Sequence, residues 1–322
     1  MRAQSSAGTS EDAGTSENPE AVEVRDLRMR YGQKDVLTGV DFVVHTGEVV
    51  CLLGPNGAGK TTTIEILEGF RAPSAGEIRV LAVDPAHGDE NWRARTGVVL
   101  QSWRDHPRWT PRRLVTHLGA YYTPYSTPEH VRPYDVATLL GMVGLTELAD
   151  QKIATLSGGQ RRRLDVGIGI VGRPELLFLD EPTAGFDPHA RQEFHELVLR
   201  LSDTEATTIL LTTHDLAEAE KLADRILILA SGRIVADGTP DELARNVATE
   251  AQVRWRRNGE RFAHATTEPT AFARRLFDEH GDQVEDLEVR RASLEDTCLT
   301  LVRLHEDDAR APAAITLEDA RT

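Results

Sequence analysis

Four residues in one short stretch could grip a phosphate. Gly54, Gly59, Lys60 and Thr61 stand in Gly54-Pro55-Asn56-Gly57-Ala58-Gly59-Lys60-Thr61-Thr62, which satisfies G-x-x-x-x-G-K-[ST]. Glycines let main-chain N–H groups turn inward, and a following helix adds unpaired amides and the positive end of its dipole. Lys60 would then reach the β- and γ-phosphates, and the Thr61 hydroxyl would bind Mg²⁺. The plainer alternative is a glycine turn with a surface lysine. The apolar run Val49–Leu53 before the loop and residues 64–67 after it favour the phosphate site, because they read as strand and helix. A second group is Asp180-Glu181, closing the apolar run at residues 176–179. A buried strand can bring Asp180 beside the loop to hold Mg²⁺ through water, and Glu181 beside an attacking water. Two solvated acids at a strand end are the alternative.

These side chains need a scaffold, and the alternation of elements supplies one. Apolar residues at strand-like spacing, with one slip, occupy residues 22–31, and further β segments read at 40–44, 76–80 and 97–101. Residues 112–122, 134–145 and 157–171 carry apolar side chains at i, i+3 and i+4, the mark of amphipathic helices. Strands at 176–180, 207–213, 225–230 and 233–236 then alternate with helices at 189–202 and 216–223. Such alternation implies a parallel sheet covered by helices, here interrupted by a helical insertion. A smaller α+β segment follows, with strands at 252–256 and 286–290 and helices at 270–280 and 293–304. The expected division is a disordered tail over 1–20, a nucleotide-binding domain over 21–247, an α+β appendage over 248–306 and a mobile tail over 307–322.

Composition narrows the function. A chain of 322 residues can bury a sizeable core. Its net charge of −15 argues against general nucleic-acid binding, which rests on Lys and Arg neutralising phosphates. Cys51 and Cys298 make neither a disulfide framework nor a zinc site, so a reducing compartment is expected, with Cys51 a small core residue. The first twenty residues are polar and acidic, unlike a secretory signal. No apolar run approaches the roughly 20 residues of a membrane helix.

Between the two acidic and basic motifs lies Leu156-Ser157-Gly158-Gly159-Gln160. Read alone, Ser157 is a helix N-cap. Standing between a Walker A and a Walker B motif, however, this pentapeptide resembles the signature of the ATP-binding cassette (ABC) family, over about residues 22–245. The resemblance implies a P-loop α/β core with an antiparallel β subdomain and a helical signature subdomain. It further implies that Tyr31 stacks on adenine and that Gln101 touches Mg²⁺ and the water while sensing a membrane partner. Asp187 matches the aspartate of the D-loop, with Phe186 in place of the commoner leucine, and His214 matches the switch histidine at the γ-phosphate. Mg²⁺ would be held by Thr61, Gln101 and Asp180, and Glu181 would orient the water. Ser157, Gly158, Gly159 and Gln160 would complete the ATP site of a second cassette, giving a head-to-tail dimer that ATP closes and hydrolysis opens.

The task remains open at this level. One possibility is a transporter subunit at the cytoplasmic face of the plasma membrane, bound to a separate permease; the other is a soluble ABC protein acting on ribosomes or DNA. A single cassette, Lys60 and Ser157 only 97 positions apart, absent cysteine pairs and the acidic balance favour transport. The Trp- and Arg-rich residues 102–110 suit a permease contact, with a partly buried loop as alternative. Ser293-Leu294-Glu295-Asp296-Thr297-Cys298-Leu299-Thr300-Leu301 resembles the ending of drug-resistance and ABC-2-type export ATPases, apart from Cys298 where phenylalanine is usual. An ordinary amphipathic helix would also explain that run. Export of a drug-like compound, natural product, lipid or polysaccharide is therefore expected, with an importer ATPase as the alternative.

Overall fold

The computed structural model describes residues 18–99, 106–247, 251–257 and 259–291. Strands β1 (Glu20–Tyr31) and β2 (Lys34–His45) form an antiparallel hairpin. The slip in the apolar spacing of β1 is a bulge between Val24 and Leu27, with Asp26 at φ +46°, which returns Leu27 to the buried face. The described chain starts before the expected limit of the tail: the Pro19 carbonyl accepts from Thr46 N–H at 2.8 Å, so pairing at the end of β2 anchors it.

The fully buried β3 (Val49–Leu53) runs through the phosphate loop into α1 (Lys60–Leu67). Strand β4 (Ala75–Val80) then pairs with β1 and completes a three-stranded antiparallel sheet, ordered β2-β1-β4. Helix α2 (Glu90–Arg95), capped by Asp89, passes directly into β5 (Thr96–Val99). Helices α3 (Pro111–Gly119), α4 (Val136–Met142) and α5 (Gly158–Ile170) form the helical insertion. The alternation resumes as β6 (Leu176–Asp180), α6 (Pro188–Glu205), β7 (Thr208–Thr213), α7 (Leu216–Leu222) and β8 (Arg225–Ala230). Strand β9 (Arg233–Gly238) turns back antiparallel to β8, and α8 (Pro240–Val247) follows.

These strands make a six-stranded sheet ordered β5-β6-β7-β3-β8-β9, parallel except for its last pair. Successive side chains of a strand point to opposite faces, so each central strand feeds two cores. Val50, Leu52, Phe178, Leu210 and Leu227 meet α1 and the antiparallel sheet. Cys51, Leu53, Leu179, Ile209 and Ile228 meet the helices of the insertion together with α6 and α7. Burial on both faces explains why these strands are continuous apolar runs rather than alternating ones. Cys51 is a buried core residue, as its place in the β3 run implies.

The C-terminal segment is a three-stranded antiparallel sheet, β10 (Ala251–Arg257), β11 (Glu260–Thr266) and β12 (Glu285–Arg291), with α9 (Pro269–His280). Its order is β11-β10-β12, and Trp255 stacks on Phe262 and leans on Phe272 of α9. Sequence periodicity missed β11, in which Phe262 is the sole large apolar residue; hairpin pairing with β10 around Gly259 at φ +83° makes it a strand. The run at Ser293 to Leu301, including Cys298, lies outside the described residues. No helix among the described residues is long and apolar enough to cross a membrane.

Candidate nucleotide-phosphate site

The loop between β3 and α1 is shaped by residues that only glycine can replace. A Cβ on Gly54 would lie 2.3 Å from the Leu229 carbonyl oxygen, so the chain passes β8 too closely for a side chain. Gly57 and Gly59 take φ of +84° and +111°, the left-handed region that glycine enters without strain. At Gly59 a Cβ would also strike Leu37 Cδ2 at 2.5 Å. Ala58 and Lys60 are buried beside it. The loop surrounds a cavity of about 450 Å³, within the usual range for small-molecule sites. Asn56, Gly57, Gly59, Lys60, Thr61 and Thr62 line it from the loop side, Lys34 and Val36 from β2, and Glu181, Ala184 and His214 from the far side.

The residues of opposite motifs meet here as a connected chain. Lys60 Nζ donates to the Gly54 carbonyl at 2.8 Å and the Pro55 carbonyl at 3.3 Å, and lies 3.3 Å from Glu181 Oε1. Glu181 Oε2 is 2.6 Å from His214 Nδ1, within hydrogen-bond distance. Side-chain exposure falls from 55% at His214 to 14% at Glu181 and 6% at Lys60, so the histidine is the solvent end of the chain. Glu181 adopts φ +46°, an uncommon conformation for a residue with a Cβ, and such strain collects at functional sites.

Asp180 sits one residue back, at the end of β6. Its Oδ1 accepts from Thr61 Oγ1 at 3.4 Å and from Thr212 Oγ1 at 2.6 Å. Thr61 and Asp180 together present the hard oxygen donors that Mg²⁺ prefers, and their closeness in space suits a shared ion. Gln101, the third expected ligand, lies outside the described residues. At the end of α1, burial pushes the Glu68 carboxyl up to about 8, helped by the negative charges of Asp180 and Glu65.

Other expected members stand away from the cavity. Ser157 opens α5 through a capping box: Gln160 N–H donates to Ser157 Oγ at 3.3 Å, and Ser157 N–H donates to Gln160 Oε1 at 2.9 Å. Neither these residues nor Gly158 and Gly159 line the cavity, and a Cβ on Gly158 would meet open space. Asp187 caps α6 by accepting from His189 and Ala190 N–H, both at 3.0 Å. Those amides, Ala190 first, hold its carboxyl below the ordinary range. Tyr31 is 39% exposed and carries the Arg71 guanidinium 5.0 Å above its ring, outside the cavity lining.

Sequence reasoning did not find Lys34, Val36, Ala184 and Thr212. Lys34 and Val36 follow Tyr31 round the β1–β2 turn, a nearness the sequence offers as a signal. Thr212 gives no signal in the sequence, because its place at the site depends on the pairing of β7 with β6.

Comparison with known proteins agrees with this geometry. The ABC transporter family model matches residues 37–184. Nod factor export ATP-binding protein I of Burkholderia lata is 40% identical over 222 residues, covering 69% of this chain and 72% of that protein. Daunorubicin resistance ATP-binding protein DrrA2 of Streptomyces coeruleorubidus is 36% identical over 325 residues, covering 91% of this chain and 98% of its own length. An ATP-binding cassette solved as a dimer in a post-hydrolysis state with ADP and Pi shares the fold, at a TM-score of 0.58, 23% identity, and coverage of 68% of this chain and 98% of that one. With a phosphate loop, Glu181 and a strand-end histidine around one cavity and Asp180 bonded to Thr61 beside it, the chain belongs to the ABC transporter family and is one of its ATPases.

Proposed function

We propose that the chain powers export through a separate membrane permease, as one of two cassettes that sandwich ATP. The observation that carries the hydrolytic part is the Lys60–Glu181–His214 chain inside the phosphate-loop cavity. Phosphoryl transfer to water needs positioning and charge neutralisation more than covalent chemistry. Loop amides and Lys60 would bind the β- and γ-phosphates, and Lys60 would exchange its contacts with loop carbonyls for phosphate oxygens. Glu181 would orient the attacking water, with His214 holding that carboxylate and facing the γ-phosphate. Bound Mg²⁺ would neutralise phosphate charge, with Thr61, Asp180 and Gln101 as its protein ligands. Tyr31 would stack on adenine after yielding its contact with Arg71.

The partner cassette is what the signature's resemblance implies. Ser157, Gly158, Gly159 and Gln160 lie outside the lining of their own chain's cavity, which agrees with a second copy supplying them, with Asp187 at the same junction. A homodimer is the simplest assembly, and the solved dimeric cassette of the same fold supports it. Permease docking is supported by an aromatic surface beside α3. His106 stacks on Trp109 at 4.3 Å, Arg113 lies 4.4 Å over the Trp109 ring, and His117 bridges to Tyr121, which is 65% exposed. Trp, Tyr and Arg are favoured interface anchors. Export rather than import is supported by the two relatives named for export and drug resistance. Such a subunit would sit at the cytoplasmic face of the membrane through its permease, without binding nucleic acid.

Purification of the tagged chain from membranes in mild detergent, with mass spectrometry of its companions, tests this reading. A multi-helix membrane protein of the ABC-2 kind is the expected companion. An importer-type permease would redirect the transport, and recovery of ribosomes or DNA would refute it.

A further inference from the structure

We infer that Thr212 is a positioning residue for hydrolysis, its single hydroxyl setting both acids of the site. The inference rests on the ATPase reading and assigns a part to a residue that matches none of the motifs. Strands β6 and β7 run parallel, with Asp180 and Thr212 as register neighbours, and Thr212 is fully buried. Along β7 it follows the apolar run Ile209, Leu210 and Leu211 and precedes Thr213, whose buried hydroxyl serves a different group by accepting from the Asp215 N–H at 3.0 Å.

That hydroxyl works both as donor and as acceptor. A threonine offers one donor and two acceptor sites. Thr212 Oγ1 donates to Asp180 Oδ1 at 2.6 Å and accepts from the Glu181 main-chain N–H at 3.0 Å. The first bond is of the short, charge-assisted kind and fixes the carboxylate that also faces Thr61. The second holds the amide of a residue at φ +46°, a backbone conformation that needs outside support. The direction of that amide and the direction of the Glu181 side chain are set by the same backbone dihedrals. Releasing the amide would let the carboxylate leave its places 3.3 Å from Lys60 and 2.6 Å from His214. Thr212 therefore acts through Asp180 on the metal ligand set and through Glu181 on the water.

Three substitutions separate hydroxyl from bulk in the full-length chain. Thr212→Val keeps the β-branched shape and removes the hydroxyl, while Thr212→Ser and Thr212→Ala differ from each other only by it. Readouts are kcat, KM for ATP, the Mg²⁺ concentration giving half-maximal rate, and thermal melting. By analogy with other supports of metal ligands, Val and Ala are expected to lose about 10–100-fold in kcat and to need several-fold more Mg²⁺. KM for ATP should change less than about threefold, because the phosphate loop is untouched, and Ser should restore most of the rate. A Val variant that melts like wild type and keeps its kcat and Mg²⁺ dependence would overturn the inference. So would Ser and Ala variants of equal rate, a comparison that stands if Val fails to fold. A wild-type chain without ATPase activity would count against the functional reading instead; Mg²⁺-dependent binding of ATP by the Ser and Ala variants would then decide the role of Thr212 by the same comparison.

Discussion

Glu68 makes a pH-dependent contribution that can be worked from its surroundings. It caps the C-terminal end of α1, with its N–H on the Ile64 carbonyl at 2.9 Å, and burial near Asp180 and Glu65 raises its carboxyl from 4.5 to about 8. Between those values the unfolded chain has lost this proton and the folded chain retains it. Stability then falls as pH rises, because the folded state binds more protons. The favourable contribution is fully present below 4.5 and lost as pH passes through about 8. At about 1.4 kcal/mol per pH interval the upper bound over this window is roughly 4–5 kcal/mol. Partial hydration of the group reduces the working figure to about 2 kcal/mol. Glu68→Gln keeps the shape and removes the titration. Urea unfolding of both proteins at pH 5.5 and pH 8.5 should show the variant gaining about 2 kcal/mol on wild type at the higher pH. In melting experiments the same gain is roughly 4–8 °C. Parallel stability–pH curves for the two proteins would refute the reasoning, because Glu68 would then ionise alike in both states.

Three further outcomes test the site. Lys60→Ala removes the buried cation from the phosphate loop and should abolish phosphate release; a near wild-type rate in the purified complex would refute the site. Glu181→Gln should retain ATP binding while lowering turnover about 10²–10⁴-fold, as expected for loss of a general base. In size-exclusion chromatography with ATP this variant should elute as a dimer, and a persistent monomer would count against the sandwich. Gly54→Ala places a methyl 2.3 Å from the Leu229 carbonyl oxygen, so the loop must shift against β8. Its cost should be about 1–3 kcal/mol, read as a lowered melting temperature; unchanged melting would show that the loop yields freely.

Much of this was written in local patterns. Gly54, Gly59, Lys60 and Thr61 declare a phosphate loop because a few consecutive residues suffice to build one. The runs around Cys51 and Phe178 are legible as buried strands because both faces of a parallel sheet must be apolar. Asp89, Trp92 and their short helix α2 were passed over, since six residues are too few to show a period. Strand β11 escaped because its pairing, not its side chains, makes it a strand.

Tertiary structure decided the rest, since strand order is not a local property. Lys60, Glu181 and His214 are far apart in sequence, and only the placing of β3, β6 and β7 side by side brings their ends to one cavity. The same order puts the Thr212 hydroxyl against both acids and leaves Ser157 outside the cavity it would serve in a partner. The sequence determined which groups could do the chemistry, because motif identity resides in residue type and spacing. The fold determined which of them meet, because contact is set by the packing of strands whose neighbours come from distant parts of the chain.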